Sequence, residues 1–110
     1  MATGRLGTAN ITTASTNTTL YTVPSSTFAV VSVNICNRSS STAAAIRLAV
    51  ASSATPSADE WIEYDSSLVA NGVLERTGIV LAAGQYLVAY TGTATPTLSC
   101  VVYGIETSTA

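Results

Sequence analysis

The chain has 110 residues, of which 47% are hydrophobic and only 9% are charged, and it contains no lysine and no histidine. This length is typical of a single domain and is sufficient for a hydrophobic core. The formal charge of −2 excludes a basic surface for nucleic acid, and the lack of histidine excludes histidine-based catalysis and histidine metal sites. We therefore expect no cofactor and no nucleic-acid partner.

The apolar runs are too short for a transmembrane helix, which needs about 18 consecutive apolar residues. The first residues, Met1–Arg5, also lack the apolar segment of a signal peptide. We therefore expect no membrane association and folding in a cytoplasm. Serine and threonine number 14 and 18, and residues of this kind favour strands and turns over helices.

Apolar residues alternate with period two between closely spaced turn signals, which predicts about eight short strands. The predicted strands are Leu6–Thr12, Thr18–Val23, Thr27–Asn37, Ala43–Ala51, Glu60–Asp65, Val73–Val80, Gln85–Thr91 and Thr97–Glu106. The predicted fold class is all-β, an antiparallel β-sandwich of jelly-roll-like form, with little helix beyond one turn at Ser66–Ala70. Residues 1–16 are an N-terminal arm or a first strand, residues 17–106 form the sandwich, and residues 107–110 are a loose tail.

The strongest predicted strand is Thr27–Asn37, which is partly apolar on both faces near its start and is therefore assigned to the centre of a sheet. In Glu60–Asp65, the alternation puts Ile62 and Tyr64 on one face and Trp61 with its acidic neighbours on the other. The residues expected in the core are Val31, Val33, Ile35, Ile46, Leu48 and Val88.

The acidic residues Asp59, Glu60, Glu63 and Asp65 are the main clustering of carboxylates. A Ca²⁺ site needs several oxygens that converge, and a hydrolase needs a positioned pair, but the spacing here supports neither. We favour a solvated edge strand whose charges discourage pairing with another chain. Trp61, in the same segment, is a contact residue or, as we favour, a partly buried packing residue.

Cys36 and Cys100 lie on two predicted strands, and the order Cys36, Trp61, Cys100 is that of an immunoglobulin domain. The spacing from Cys36 to Trp61 is too long for that fold, and position 98 is leucine where the corner tyrosine would stand. We therefore favour two buried, reduced cysteines. Neither has a basic neighbour that would activate it as a nucleophile, and we expect no catalytic residue and no metal site.

Several segments, in order, resemble a known family. They are Thr19-Leu20-Tyr21-Thr22-Val23-Pro24, Phe28–Asn37 with Arg38, Trp61–Asp65, Gly72–Ile79 and Gln85–Tyr90. Together, over roughly Thr18 to Ile105, the chain resembles small virion structural proteins of tailed bacteriophages, including phages of cyanobacteria. The resemblance implies a non-enzymatic β-sandwich that attaches to the virion after assembly in the host bacterial cytoplasm.

The resemblance implies a capsid decoration or cement protein, or else a component of the tail, neck or fibre. The implied partners are further copies of the chain, with a trimer favoured, and a major virion protein such as the capsid protein. A segment at Ala2–Ser15 either adds a strand to a neighbouring copy or forms the first strand of its own sandwich. The candidate interaction residues are Leu6, Ile11, Trp61 and Tyr64.

A different class of function is a small carbohydrate- or receptor-binding sandwich. Its aromatic platforms would be Trp61, Tyr64, Tyr86 and Tyr90. The sequence leaves this alternative open.

Overall fold

A computed structural model describes residues 2–109, which form eight antiparallel β-strands and no helix. The strands are β1 Thr3–Ile11, β2 Thr18–Thr22, β3 Thr27–Asn37, β4 Ala44–Ala51, β5 Trp61–Leu68, β6 Val73–Leu81, β7 Tyr86–Thr91 and β8 Leu98–Ser108. They build two four-stranded sheets: sheet I has the order β1-β8-β3-β6 and sheet II the order β2-β7-β4-β5. The all-β sandwich predicted from the sequence is confirmed.

The strand pairing is that of one long hairpin rolled up on itself. The β4–β5 hairpin is the centre, and β3 pairs with β6, β2 with β7 and β1 with β8 on either side of it. Successive strand pairs therefore lie alternately in sheet I and sheet II, which is the jelly-roll arrangement. Strand β3 lies between β8 and β6, as its partly apolar faces predicted.

The core lies between the sheets and follows the period-two alternation of the strands. In β3, each second residue from Thr27 to Asn37 is buried, and the residues between them face outward. All six residues predicted for the core are at most 1% exposed; five of them lie between the sheets, and Val88 is buried in a separate small cluster. The core between the sheets also includes Leu20, Leu81, Leu87 and Leu98, from β2, β6, β7 and β8.

The N-terminal segment forms the first strand of the chain's own sandwich rather than a free arm. Strand β1 pairs along β8 from Thr3 to Ile11, with one bulge between Arg5 and Gly7. At Gly7 the chain passes so close to β2 that a Cβ atom would lie 2.2 Å from the carbonyl oxygen of Leu20. Since removal of this strand would uncover the core, the segment contributes to the stability of the monomer.

Two predicted segments differ in the structure. Ser66 and Leu68 belong to β5 and pair with Ile46 and Ala44, so the predicted helical turn at Ser66–Ala70 is wrong. The β-sheet pairing there outweighs a weak local preference for a turn. Strand β8 continues to Ser108, which pairs with Thr27, so residues 107 and 108 are not a loose tail. Ala110 lies outside the described residues.

The polar contacts between the sheets include one at each side of the sandwich. On one side the Tyr21 hydroxyl of β2 donates to Oε2 of Glu106 in β8, at 2.5 Å. On the other, the Arg76 guanidinium of β6 forms an ion pair with the Glu63 carboxylate of β5. Burial and the bond to Glu106 raise the pKa of Tyr21, so its phenol stays protonated.

Candidate functional site

The four candidate interaction residues do not share one surface. Ile11 is 3% exposed and belongs to the core, so it is not a surface residue. Leu6 is half-buried and packs against the same core from the bulge in β1. Trp61 and Tyr64 lie together on the outer side of sheet II, where Tyr64 is 59% exposed. The N-terminal pair is therefore structural, and the aromatic pair remains a candidate site.

Trp61 and Tyr64 share a face because β5 is irregular. Ala49 pairs with Trp61, Leu48 with Glu63 and Ile46 with Ser66, so β5 contains two more residues than β4 over this stretch. Each extra residue shifts the alternation by one position. The sequence-based assignment, which put Trp61 and Tyr64 on opposite faces, is wrong for this reason. The two ring centroids are 5.9 Å apart, with an interplanar angle of 73°.

The aromatic rings cover a small hydrophobic cluster outside the main core. Ala49, Ala51 and Val88 face away from the sandwich interior but are completely buried, beneath Trp61 and Tyr86. Small side chains on β4 and β7 leave room for the rings to lie close to the sheet. The predicted packing role of Trp61 is confirmed. We call Trp61, Tyr64, Tyr86 and Tyr90 the aromatic face of sheet II, and it packs on this buried cluster.

An arginine completes this face. The guanidinium carbon of Arg47 lies 4.0 Å from the ring centroid of Tyr64 and 4.8 Å from that of Tyr90. Its Nε and Nη2 atoms also donate to the two carboxylate oxygens of Asp65, at 2.7 and 3.2 Å. The hydrogen bond from Arg47 lowers the pKa of Asp65. The cation–π contacts and the fork-like ion pair together fix the orientation of Tyr64.

A cleft of about 410 Å³ opens beside the rings and is lined by Ala58, Trp61 and Tyr64. The β4–β5 loop forms one wall, and Glu60 holds that loop in place. Its carboxylate accepts hydrogen bonds from the backbone N–H groups of Ser52 and Ser57, at 3.0 and 2.8 Å. The bond from Ser57 lowers the pKa of Glu60.

The acidic residues of this region do not converge. Asp59 accepts from the Ser57 hydroxyl, Glu63 binds Ser66 and Arg76, and Asp65 binds Arg47. Among residues 2–109, no group of three histidine, cysteine, aspartate or glutamate side chains is placed to hold a metal ion. Strand β5 is an edge strand of sheet II, which agrees with the predicted solvated edge.

The cysteines are both free thiols in the described structure. Cys36 lies opposite Ser99 and Cys100 opposite Ile35 on neighbouring strands, so the two side chains point to opposite faces of sheet I. This register excludes a disulfide between them. Cys100 is buried, as expected, and burial raises its pKa to about 12, whereas Cys36 is half-buried on the outer face.

The outer face of sheet I carries a second exposed surface of a different kind. Val30 lies between Ile105 of β8 and Val80 of β6, and Phe28 precedes it on the same face of β3. Phe28, Val80 and Ile105 are 37%, 65% and 50% exposed. We call this surface the aliphatic face, after Val30, Val80 and Ile105, and it includes the aromatic ring of Phe28. The sequence does not indicate this face, because the strand order that aligns these residues is set by the tertiary fold.

Comparison with protein-family models, with curated proteins and with solved structures finds no match for this chain. Within residues 2–109, no helix is long and apolar enough to cross a membrane.

Proposed function

We propose that this chain is a non-enzymatic structural protein of a bacteriophage particle that decorates the capsid as a homo-oligomer. The observation that carries the proposal is the aliphatic face, where Val80 and Ile105 are at least half exposed in the monomer. Contiguous exposed apolar side chains on a soluble domain mark an interaction surface. The face spans three neighbouring strands and therefore offers a partner a contiguous surface.

Two further arguments support a particle protein. The segments from Thr18 to Ile105 resemble virion proteins of tailed phages, and the jelly roll is an architecture that serves in viral capsids. That architecture also serves in lectins and other proteins, so the fold by itself does not decide the function. The exposed aliphatic face favours a role in assembly, because a partner surface would cover its apolar side chains.

The partner that best fits the aliphatic face is another copy of the chain. Phe28, Val30, Val80 and Ile105 are all uncharged, so identical faces meet without electrostatic repulsion. A chain with 9% charged residues also has little long-range self-repulsion. We propose a closed trimer in which three copies of the face meet at one axis, and the trimer then binds the capsid protein.

The test introduces an aspartate into the aliphatic face and, as a control, an aspartate at an equally exposed position outside it. Val80→Asp alters a residue that is 65% exposed, and the control Val69→Asp alters one that is 64% exposed. Val69 lies beside Asn37 at the far end of β3, away from Val80, which is opposite Val30. Both substitutions are at the surface, so both variants should fold.

We expect the wild type and Val69→Asp to sediment as a trimer and to bind phage heads that lack this protein. Val80→Asp should sediment as the 11.2 kDa monomer and bind poorly. A wild type that stays monomeric and does not bind heads would contradict the proposal. Binding to isolated tails or fibres and not to heads would favour the tail, neck or fibre alternative.

A further inference from the structure

We propose that the cleft beside Trp61 and Tyr64 binds a neutral saccharide, one of whose pyranose rings stacks on the exposed tyrosine. The site is on the outer side of sheet II, whereas the proposed assembly uses the outer side of sheet I. The proposal is therefore independent of the oligomeric state and of attachment to a phage particle.

The geometry of the two rings suits a sugar. A pyranose ring presents C–H groups on its faces and hydroxyl groups around its edge, so it packs on an aromatic ring and forms hydrogen bonds at its rim. Trp61 and Tyr64 meet at 73° and form a corner, in which one ring supports a face of the ligand and the other borders its edge. A cleft of about 410 Å³ falls in the size range of small-ligand sites.

The site is held in place before any ligand arrives. Trp61 is anchored on Ala49 and its buried neighbours, and Arg47 lies against the Tyr64 ring at 4.0 Å. Tyr64 nevertheless remains 59% exposed. An exposed ring with a fixed orientation loses little conformational freedom on binding, which favours affinity in a shallow site.

The residues next to Ala58 in the chain carry polar groups that suit a sugar's hydroxyls better than a charged ligand. Ala58 lies between Ser57 and Asp59, whose side chains are joined by a 2.8 Å hydrogen bond. A hydroxyl both donates and accepts, and a carboxylate accepts from the hydroxyls of a sugar. The carboxylate of Asp59 and the net charge of −2 disfavour acidic sugars and phosphates.

A cationic ligand is a poorer fit. Aromatic clusters bind quaternary ammonium groups through their ring faces, but here Arg47 already lies against Tyr64 and Tyr90. A proline-rich peptide also binds aromatic grooves, and the hydroxyl and carboxylate on either side of Ala58 in the chain favour a hydroxylated ligand over it. The peptide is therefore one arm of the test.

Trp61 makes the test specific to the site, because it is the single tryptophan of the chain. The intact protein is titrated with methyl glycosides of glucose, galactose, mannose and N-acetylglucosamine up to about 10 mM, and its tryptophan emission is recorded. Glucuronic acid and a proline-rich peptide are titrated in parallel. We expect saturable shifts with at least one neutral glycoside, and saturation-transfer NMR should show its C–H protons next to aromatic protons.

Variants assign the binding to the tyrosine ring. Tyr64→Ala should weaken the affinity for that glycoside by about tenfold or more, and Tyr64→Phe should stay within about threefold of the wild type. Tyr103→Ala, on β8 of the opposite sheet, is the matched control and should bind as the wild type does. Far-ultraviolet circular dichroism establishes that each variant is folded. The proposal is overturned if no neutral glycoside binds, if only the acid or the peptide binds, or if Tyr64→Ala binds normally.

Discussion

The outer faces of the two sheets show two ways of treating apolar side chains that point away from a core. On sheet II, Ala49, Ala51 and Val88 face outward but are buried, because Trp61 and Tyr86 cover them. Aliphatic side chains on the outer side of sheet I have no such cover and remain exposed. The outward-facing apolar residues of sheet II are thus covered within the monomer, whereas those of sheet I are not.

The difference follows from the side chains available to each sheet. The outer face of β4 carries the small residues Ala49 and Ala51, and its neighbours β5 and β7 place Trp61 and Tyr86 across them. In sheet I the facing residues Val30, Val80 and Ile105 are of similar size and fill only their own positions. Aromatic rings also present polar edges and hydroxyls to water, which valine and isoleucine lack. The comparison therefore predicts different responses to substitution.

The largest effects should come from the core that both faces share. Val33 of sheet I and Leu48 of sheet II are both completely buried, and truncation of either to alanine should lower the free energy of unfolding by about 2–4 kcal/mol. The measurement is urea denaturation followed by circular dichroism. A change below about 0.5 kcal/mol at both positions would show that the strand register is wrong and that the two sheets do not share this core.

A smaller effect distinguishes the two faces directly. Trp61→Ala removes the cover of a buried cluster and should cost about 2 kcal/mol, whereas Val80→Ala should change the monomer by less than about 0.5 kcal/mol. Both are measured by urea denaturation at a protein concentration at which the chain is monomeric. Equal losses for the two variants would break the comparison, since they would mean that sheet I also covers its outer residues.

The next effect concerns the ion pair between Glu63 and Arg76, which joins β5 of sheet II to β6 of sheet I. The hydrogen bond from Ser66 and the pairing with Arg76 lower the pKa of Glu63 below its ordinary value of 4.5. A lowered pKa in the folded state adds stability that is complete above pH 4.5 and is lost as the pH falls through the lowered value. Stability should therefore decline on acidification below pH 4.5, and Glu63→Gln should decline less steeply. Parallel pH profiles of wild type and variant would contradict this role.

The sequence predicts regular strands well and irregular ones poorly. Strand β3 is read correctly over Thr27–Asn37, since its alternation is unbroken and its burial pattern follows it. In β5 each of two extra residues shifts the alternation by one position, and Asp65 adopts a left-handed φ of 54°. Bulges depend on how a strand meets its neighbour, so local sequence does not reveal them.

The candidate site was predictable only in part for the same reason. Trp61 and Tyr64 stand out by residue type, because exposed or half-buried aromatic residues favour contacts. Arg47 gave no such signal, since its pairing with Asp65 and its approach to Tyr90 require the order of β7, β4 and β5 in sheet II. Residue type therefore identified Trp61 and Tyr64, whereas only the fold reveals that the Arg47 guanidinium lies against Tyr64.

The smallest effect should come from removing the charge of Asp65. Asn also tolerates the left-handed backbone found here, so Asp65→Asn removes the charge of the pair with Arg47 and keeps the chain conformation. The pair is exposed to solvent, where such interactions contribute little, and the rings of Tyr64 and Tyr90 still hold Arg47.

Urea denaturation of Asp65→Asn should therefore give the wild-type midpoint, at low and at high salt. Asp65→Ala is the matched comparison, because alanine loses the same charge but is strained at a φ of 54°. It should unfold at a lower urea concentration than Asp65→Asn. The contrary result is that both variants lose as much stability as Trp61→Ala does. That result would mean that the ion pair, and not the packing of the rings, holds the aromatic face together. The difference between the aromatic and aliphatic faces would then be one of charge.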